Sequence, residues 1–371
     1  MSDSNLLVEV VQGDVLDFAA DVLALKYAQH YYGSDQSVSA LLLKNGAATE
    51  KELKPVPGKY VLVDSSKVLG CPRVLLIGVP TLLEFGYLEI EKWAHRAIEI
   101  TGDHYVGPVH VAITLHGPGF GLDEIEALHA EIRGILRAAR EAVGLGRTIR
   151  VSIVERSEAR VERLQVALSR IMADLDKSRS KSPDESAAAP IASDEFNVAL
   201  QEPITVRRPL RLKLRRPEKL LEDTDETAIT DESASLQSAA QVERKPRAFV
   251  AMPFSEGMED VFYYGIQNPV RQLGYICERV DQEAFTGDIL DQVKMRIENA
   301  QIVIADLTGA NPNVYLEVGY AWGKSRPTVL VANKKDDLKF DVRGQRCLKY
   351  QSIKDLEKQL TTELKSLGGK R

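Results

Sequence analysis

The sequence predicts two three-layer α/β domains, an N-terminal one on a mixed sheet and a C-terminal one on a parallel sheet, joined by a long linker. Three observations predict this. Short β-rich apolar runs alternate with amphipathic helical stretches at both ends of the chain. The middle loses the apolar residues a core needs, and 371 residues exceed one ordinary core while suiting two. The boundaries fall at 1–176, 177–246 and 247–371.

In the N-terminal part the strand candidates are LLVEVV (6–11), VLALKYA (22–28), YVLVD (60–64), VLLIGV (74–79), VHVAITL (109–115) and TIRVSIV (148–154). Amphipathic stretches at 88–101, 123–142 and 157–175 supply crossover helices, so the sheet is mostly parallel or mixed and covered on both faces. AQHYYGSDQS (28–37) reads as a loop after the second strand. From 177 to 246 the chain runs through SRSKSPDESAAAP and EDTDETAITDESASLQSAAQ, which bury too little apolar surface to offset chain entropy. Within this linker, TVRRPLRLKLRRP (205–217) alternates basic residues with Leu. It reads either as a short strand or docking arm with solvated arginines, or as a contact for a phosphate-rich partner.

The C-terminal pattern is crisper. AFVAM (248–252) is a buried strand ended by Pro253; Val261, Phe262, Ile266, Val270 and Leu273 recur with a helical period. YICERVD (275–281), QIVIADL (301–307) and TVLVAN (328–333) are further strands, with helices at 288–300, 312–323 and 353–366. Strict alternation of this kind builds a doubly wound, flavodoxin-like parallel sheet, which binds ligands at the carboxyl ends of its strands.

Composition excludes several classes. The chain is 44% apolar and 27% charged with a net charge of −6, which is not the basic excess of a nucleic-acid binder. Its three cysteines, Cys71, Cys277 and Cys347, are isolated; His30, His104, His110, His116 and His129 lack metal-ligand spacing, so no metal site is expected. Without a signal-peptide pattern or an apolar run of roughly 18 residues, a cytoplasmic protein without membrane partners is expected.

The stretch that carries chemistry is ADLTGANPNVYLEVGYAWGK (305–324). Asp306 ends a strand, Gly309 supplies a turn, Asn311 is a good N-cap, and Pro312 fits the first helical position. Glu317 then lies about a turn and a half inside the helix, on one face with Asn313, Val314 and Ala321 in a largely apolar run. An unpaired carboxylate there is costly, so it either snorkels out, pairs with Lys324 or an arginine, or has a chemical role. In FTGDILDQV (285–293), Asp288 either caps a helix or projects into the same crevice; Asp306 either caps its own loop or does likewise. Met252, Pro253, Phe254, Asn313, Tyr315 and Trp322 are candidates to line a substrate pocket, with a core role as the alternative for the large ones.

VAMPF (250–254), GDILDQV (287–293) and NPNVYLEVGYA (311–321) resemble the nucleoside 2-deoxyribosyltransferase-like superfamily and, more distantly, TIR domains that cleave NAD. The resemblance covers residues 248–350. It implies that Glu317 is the nucleophile at the anomeric carbon, and that Asp288 holds or protonates the leaving base. Asn311 stands where the transferases of the superfamily carry an aspartate, which leaves ribosyl substrates, NAD or a nucleotide, open. No cofactor is implied; NAD would be a substrate.

The opening VVQGDVLDFAADVLALKYA (10–28) resembles macro domains and the N-terminal domain of leucine aminopeptidases. That resemblance implies an ADP-ribose-type pocket in which Asp14 meets an adenine. LHGPGFGLDE (115–124) places Gly117, Gly119 and Gly121 between a strand and a helix, suited either to phosphate approach or to a tight turn. Together the resemblances imply an N-glycosidase effector regulated by a nucleotide-derived ligand, similar to anti-phage defence proteins and acting as a homo-oligomer. The alternatives are a non-catalytic nucleotide-binding signalling protein and a salvage nucleoside 2-deoxyribosyltransferase.

Overall fold

The computed structural model describes residues 4–65, 68–141, 148–180, 210–214, 245–280, 287–336 and 338–368. Compactness divides the chain into two units: one holds 1–116 and the chain from Glu124 into the linker; the other holds 241–371 together with Gly117–Asp123.

The first unit carries β1 (Ser4–Gln12), β2 (Val22–Tyr27), α1 (Gly33–Lys44), β3 (Tyr60–Asp64), β4 (Arg73–Gly78) and α2 (Tyr87–His104). β5 (Val109–Ile113), α3 (Glu124–Glu141), β6 (Thr148–Glu155), α4 (Glu158–Ser180) and β7 (Leu210–Leu214) complete it. Its seven-stranded sheet runs β3-β4-β2-β5-β6-β1-β7. Only the outer pairs, β3 with β4 and β1 with β7, are antiparallel. Leu23 and Leu25 meet Val38 and Leu42 of α1, while α2 packs on β2, β4 and β5 and against α3. The two helices approach closely at Gly134, where a Cβ would stand 2.2 Å from the Glu91 carbonyl oxygen.

One correction applies here. Residues read as a loop open α1, because Ser and Asp at its start mask a helical pattern that begins only at Val38. Inside the expected linker, the short-strand alternative for TVRRPLRLKLRRP holds: β7 pairs with β1 from Ser4↔Leu214 to Val8↔Leu210, as the alternation of LRLKL suits an edge strand. The rest of 181–244 lies outside the described residues.

The second unit carries β8 (Arg247–Ala251), a π-helical turn (Val261–Gln267), α5 (Asn268–Gln272), β9 (Ile276–Glu278), α6 (Gly287–Asn299) and β10 (Ile302–Asp306). α7 (Pro312–Gly323), β11 (Thr328–Asn333), α8 (Phe340–Arg343), β12 (Cys347–Tyr350) and α9 (Ile353–Gly368) follow. The five-stranded sheet, β12-β11-β10-β8-β9, is parallel throughout. Counted within the unit, that is the flavodoxin-like order 2-1-3-4-5. β12 was not expected: CLKY is short and only partly buried. The helical period after β8 takes a π register, with the Asn268 N–H reaching back to the Tyr263 carbonyl, where Pro269 lacks the donor a regular turn needs.

Strand alternation sorts this core into two faces. Ala248, Val250, Ile302, Ile304, Val329 and Val331 meet the π turn, α5 and α9; Phe249, Ala251, Val303, Ala305, Leu330 and Ala332 meet α6 and α7. Gly134→Ala should destabilise the first unit by about 1–3 kcal/mol, because backbone blocks the new methyl; urea unfolding measures it, and an unchanged midpoint would contradict the close approach.

Candidate functional site

In this sheet the order in which successive strands are added reverses between β8 and β10, and the crevice outside their carboxyl ends is the ordinary ligand position of such folds. α7 starts at that end and packs on β8, β10 and β11. Its start is built as the sequence predicts. Gly309 takes φ +71°, and Ala310 also takes a positive φ of 53°, uncommon for a residue with a side chain. Asn311 then caps the helix, its Oδ1 accepting the Asn313 N–H at 2.9 Å, and Pro312 follows at the first position.

Within α7, Val314, Val318 and Ala321 are buried against the sheet, and Leu316 on the other side is 58% exposed. Glu317 borders the buried stripe, half-buried, about 7.5 Å along the helix from its start. Among the described residues its carboxyl has neither a hydrogen-bond nor an ion-pair partner. Lys324, the expected alternative partner, pairs with Glu298 at 2.6 Å and lies over the Tyr320 ring. Desolvation alone pushes the Glu317 carboxyl up to about 8. Asn313, one turn earlier, shares its face and is half-buried.

Asp306 goes elsewhere. It is fully buried, with the parity of Ile302 and Ile304, hence on the face opposite α7. One oxygen accepts the Thr308 N–H at 2.9 Å and the other the Tyr350 hydroxyl at 2.9 Å. The Thr308 hydroxyl in turn accepts the Asn333 N–H at 2.9 Å. Burial holds the Asp306 carboxyl above its usual range against these bonds. The loop-capping alternative is therefore the one this geometry supports, tying the ends of β10, β11 and β12 together.

Met252 likewise packs into the α9 face. Its sulfur, with Phe254, surrounds a residue that sequence reasoning passed over. Arg279, leaving β9 and 4% exposed, lies 3.9 Å from the Phe262 ring centroid and 5.2 Å from that of Phe254. It donates to the Met252 sulfur at 3.6 Å and to Glu259 at 3.1 Å. Its only sequence signal is a basic residue between Glu278 and Val280 in the strand candidate YICERVD. Pro253 and Phe254 are half-buried beyond β8. Tyr315 is partly buried on the α7 face, its hydroxyl accepting the Lys339 N–H at 3.4 Å, and Trp322 is 38% exposed. Asp288 has its backbone in the first turn of α6, but its side chain lies outside the described residues.

In the segment Gly117–Asp123, Gly117 and Gly121 take φ of 99° and 94° around the short turn Pro118–Phe120. A Cβ on Gly121 would meet Arg296 Nε at 2.5 Å, and the same Nε donates to the Phe120 carbonyl at 3.2 Å. Gly119 faces open space. The tight-turn alternative accounts for Gly117 and Gly121. Asp14, at the end of β1, accepts the Leu16 N–H at 3.0 Å and pairs with Arg156 at 2.9 Å; the first of these bonds leads in holding its carboxyl below the usual range.

The first unit also buries a polar cluster. Lys26 of β2 pairs with Asp35 of α1 at 2.6 Å, and His116 Nδ1 meets Glu131 Oε1 of α3 at 2.8 Å, with the Trp93 ring centroid 4.0 Å from that of His116. Trp93 Nε1, His116 Nε2 and Glu131 Oε2 find no hydrogen-bond partner among the described residues. Burial pulls His116 well below its usual range and Glu131 well above, which favours the uncharged pair. The described residues hold no cluster of metal-ligating side chains, and no described helix is long and apolar enough to cross a membrane.

Comparisons with known proteins add partial likenesses. No family model and no curated protein matches the sequence. Among solved structures, an Oceanobacillus iheyensis macrodomain mutant has a TM-score of 0.34 at 14% identity, over 47% of this chain and 95% of that one. A Clostridium botulinum CMP N-glycosidase has 0.27 at 17%, over 32% and 98%. Alphavirus P23pro-zbd has 0.31 at 12%, over 92% and 46%. At these scores the likenesses carry no functional argument, and the site's own geometry must supply one.

Two outcomes follow. Glu317 is raised on folding, so its favourable contribution is complete below about pH 4.5 and is lost as pH rises through about 8. Glu317→Gln should therefore be more stable than the wild type by about 1–3 kcal/mol at pH 9, and the gain should vanish near pH 4; thermal unfolding across that range measures it. His116 is depressed on folding, so its contribution is lost as pH falls below about 6.5. His116→Gln should flatten the acid side of the first unit's stability curve, and an unchanged acid slope would count against an uncharged buried His116.

Proposed function

We propose that the second domain is an N-glycosidase that cleaves the base from NAD or another nucleotide, with Glu317 as nucleophile. The observation that carries this reading is a half-buried carboxylate without a partner, on the helix that covers the reversal of strand order at the ligand-binding end. A charge-stabilising or covalent role at an anomeric carbon uses such a carboxylate: it stabilises the oxocarbenium-like state and splits one hard step into two. Asn313 and Tyr315 in the first turn, with Pro253 and Phe254 beyond β8, contact the sugar or base in this reading. Asp288 assists the leaving base. By the resemblance of its opening residues, the first domain senses a nucleotide-derived ligand. Homo-oligomerisation and a role in anti-phage defence belong to the same proposal.

A second reading, nucleotide binding without chemistry, draws on Asn311, whose side-chain oxygen is committed to capping α7. Incubation with NAD, NADP, ATP and a nucleoside panel, followed by mass spectrometry of released base, separates the two. The wild type should release base, and Glu317→Ala and Glu317→Gln should be slower by about a thousandfold or more. Its kcat/KM should rise with pH and level above about 8, where the free carboxyl is ionised. Nucleotide binding without base release would select the second reading.

A further inference from the structure

We propose that the site takes N-glycosides whose base is positively charged where it joins the sugar, and discriminates against neutral nucleosides. This rests on the glycosidase reading above and concerns what the ligand must bring. Every lysine and arginine between residues 247 and 367 lies among the described residues, and none pairs with Glu317. Lys324, on the same helix, is held by Glu298 at 2.6 Å, and Arg279, beyond β9, by Glu259 at 3.1 Å. The carboxyl therefore carries an electrostatic deficit that no cation among the described residues of this domain relieves. Desolvation is the one cause of its raised pKa; no charged neighbour contributes.

A cationic base beside C1′ supplies the missing counter-charge. An opposite charge within about 4–6 Å lowers a carboxyl pKa by about 1–3 units, enough to ionise Glu317 near neutral pH. The same charge disposes of the leaving group. A Glu317 oxygen forms a bond to C1′ as the C1′–N bond breaks; the electron pair passes to the ring nitrogen, cancels its charge, and the base departs neutral. Water then adds to C1′, the carboxylate leaves, and one proton is released with the free sugar. A neutral base would depart as an anion and would need a proton from a donor in the site.

Binding and cleavage test this separately. The probes are the carbocyclic analogue of nicotinamide mononucleotide, uncleavable and with a cationic base ring, and reduced nicotinamide mononucleotide, whose base ring is uncharged. Titration calorimetry should show the cation binding the wild type at least about tenfold tighter, a ratio that falls toward one in Glu317→Gln. Equal affinities in the wild type, or a preference that survives the substitution, would overturn the proposal. In cleavage, nicotinamide mononucleotide should be turned over well ahead of cytidine monophosphate and adenosine. If the neutral substrates are turned over at least as fast, charge selection fails while the glycosidase reading stands. If nothing is cleaved but the cation preference depends on Glu317, the glycosidase reading fails and cation selection at the site stands.

Discussion

Residue parity along β10 decides which chemistry lies on which side of the second sheet. All five side chains of this strand are buried, and successive ones must point to opposite faces. Ile302, Ile304 and Asp306 therefore look toward α9 and Tyr350, and Val303 and Ala305 look toward α6 and α7. A one-residue slip of β10 would put the Asp306 carboxylate under α7 and an alanine against Tyr350. The register with β8 and β11, Ile304 opposite Val250 and Val329, holds that choice in place.

From this division come two acidic groups with opposite fates. Asp306 is deep, yet both its oxygens are met by donors, so it ties the loop to β12 and leaves a satisfied core. Glu317 is shallower and unmet, and its cost is maintained by the packing of Val314, Val318 and Ala321 on the sheet. A carboxylate that folding leaves without a partner is a strain that a ligand can relieve, which is why depth alone is a poor guide to chemistry.

Several other buried carboxylates are paired. Glu278, 1% exposed, is met by Arg247 and Arg296 at 3.1 Å each, and Glu91 by Arg133 at 2.9 Å. Asp123 accepts from Arg271 and from the Cys277 N–H. Beside these pairs the described residues also hold unmatched atoms, at Trp93, His116, Glu131, Ser39, Arg133 and Arg160 in the first domain and at Arg326, the buried Gln292 amide and the Glu317 carboxyl in the second.

Local pattern alone determined a great deal: the six predicted strands of the first domain, the N-cap Asn311 with Pro312, the span of α7, and the position of Glu317 on it. These follow from period and from capping chemistry, which act over a few residues. What only the tertiary structure decided was pairing across distance. The pairing of β7 with β1, the edge strand β12, the partners that occupy Asp306 and Lys324, the enclosure of Arg279 by Met252, Phe254, Phe262 and Glu259, and the buried His116–Glu131 pair all depend on residues far apart in the chain. A short edge strand has little signal of its own, and whether a carboxylate is satisfied is set by what the fold brings beside it.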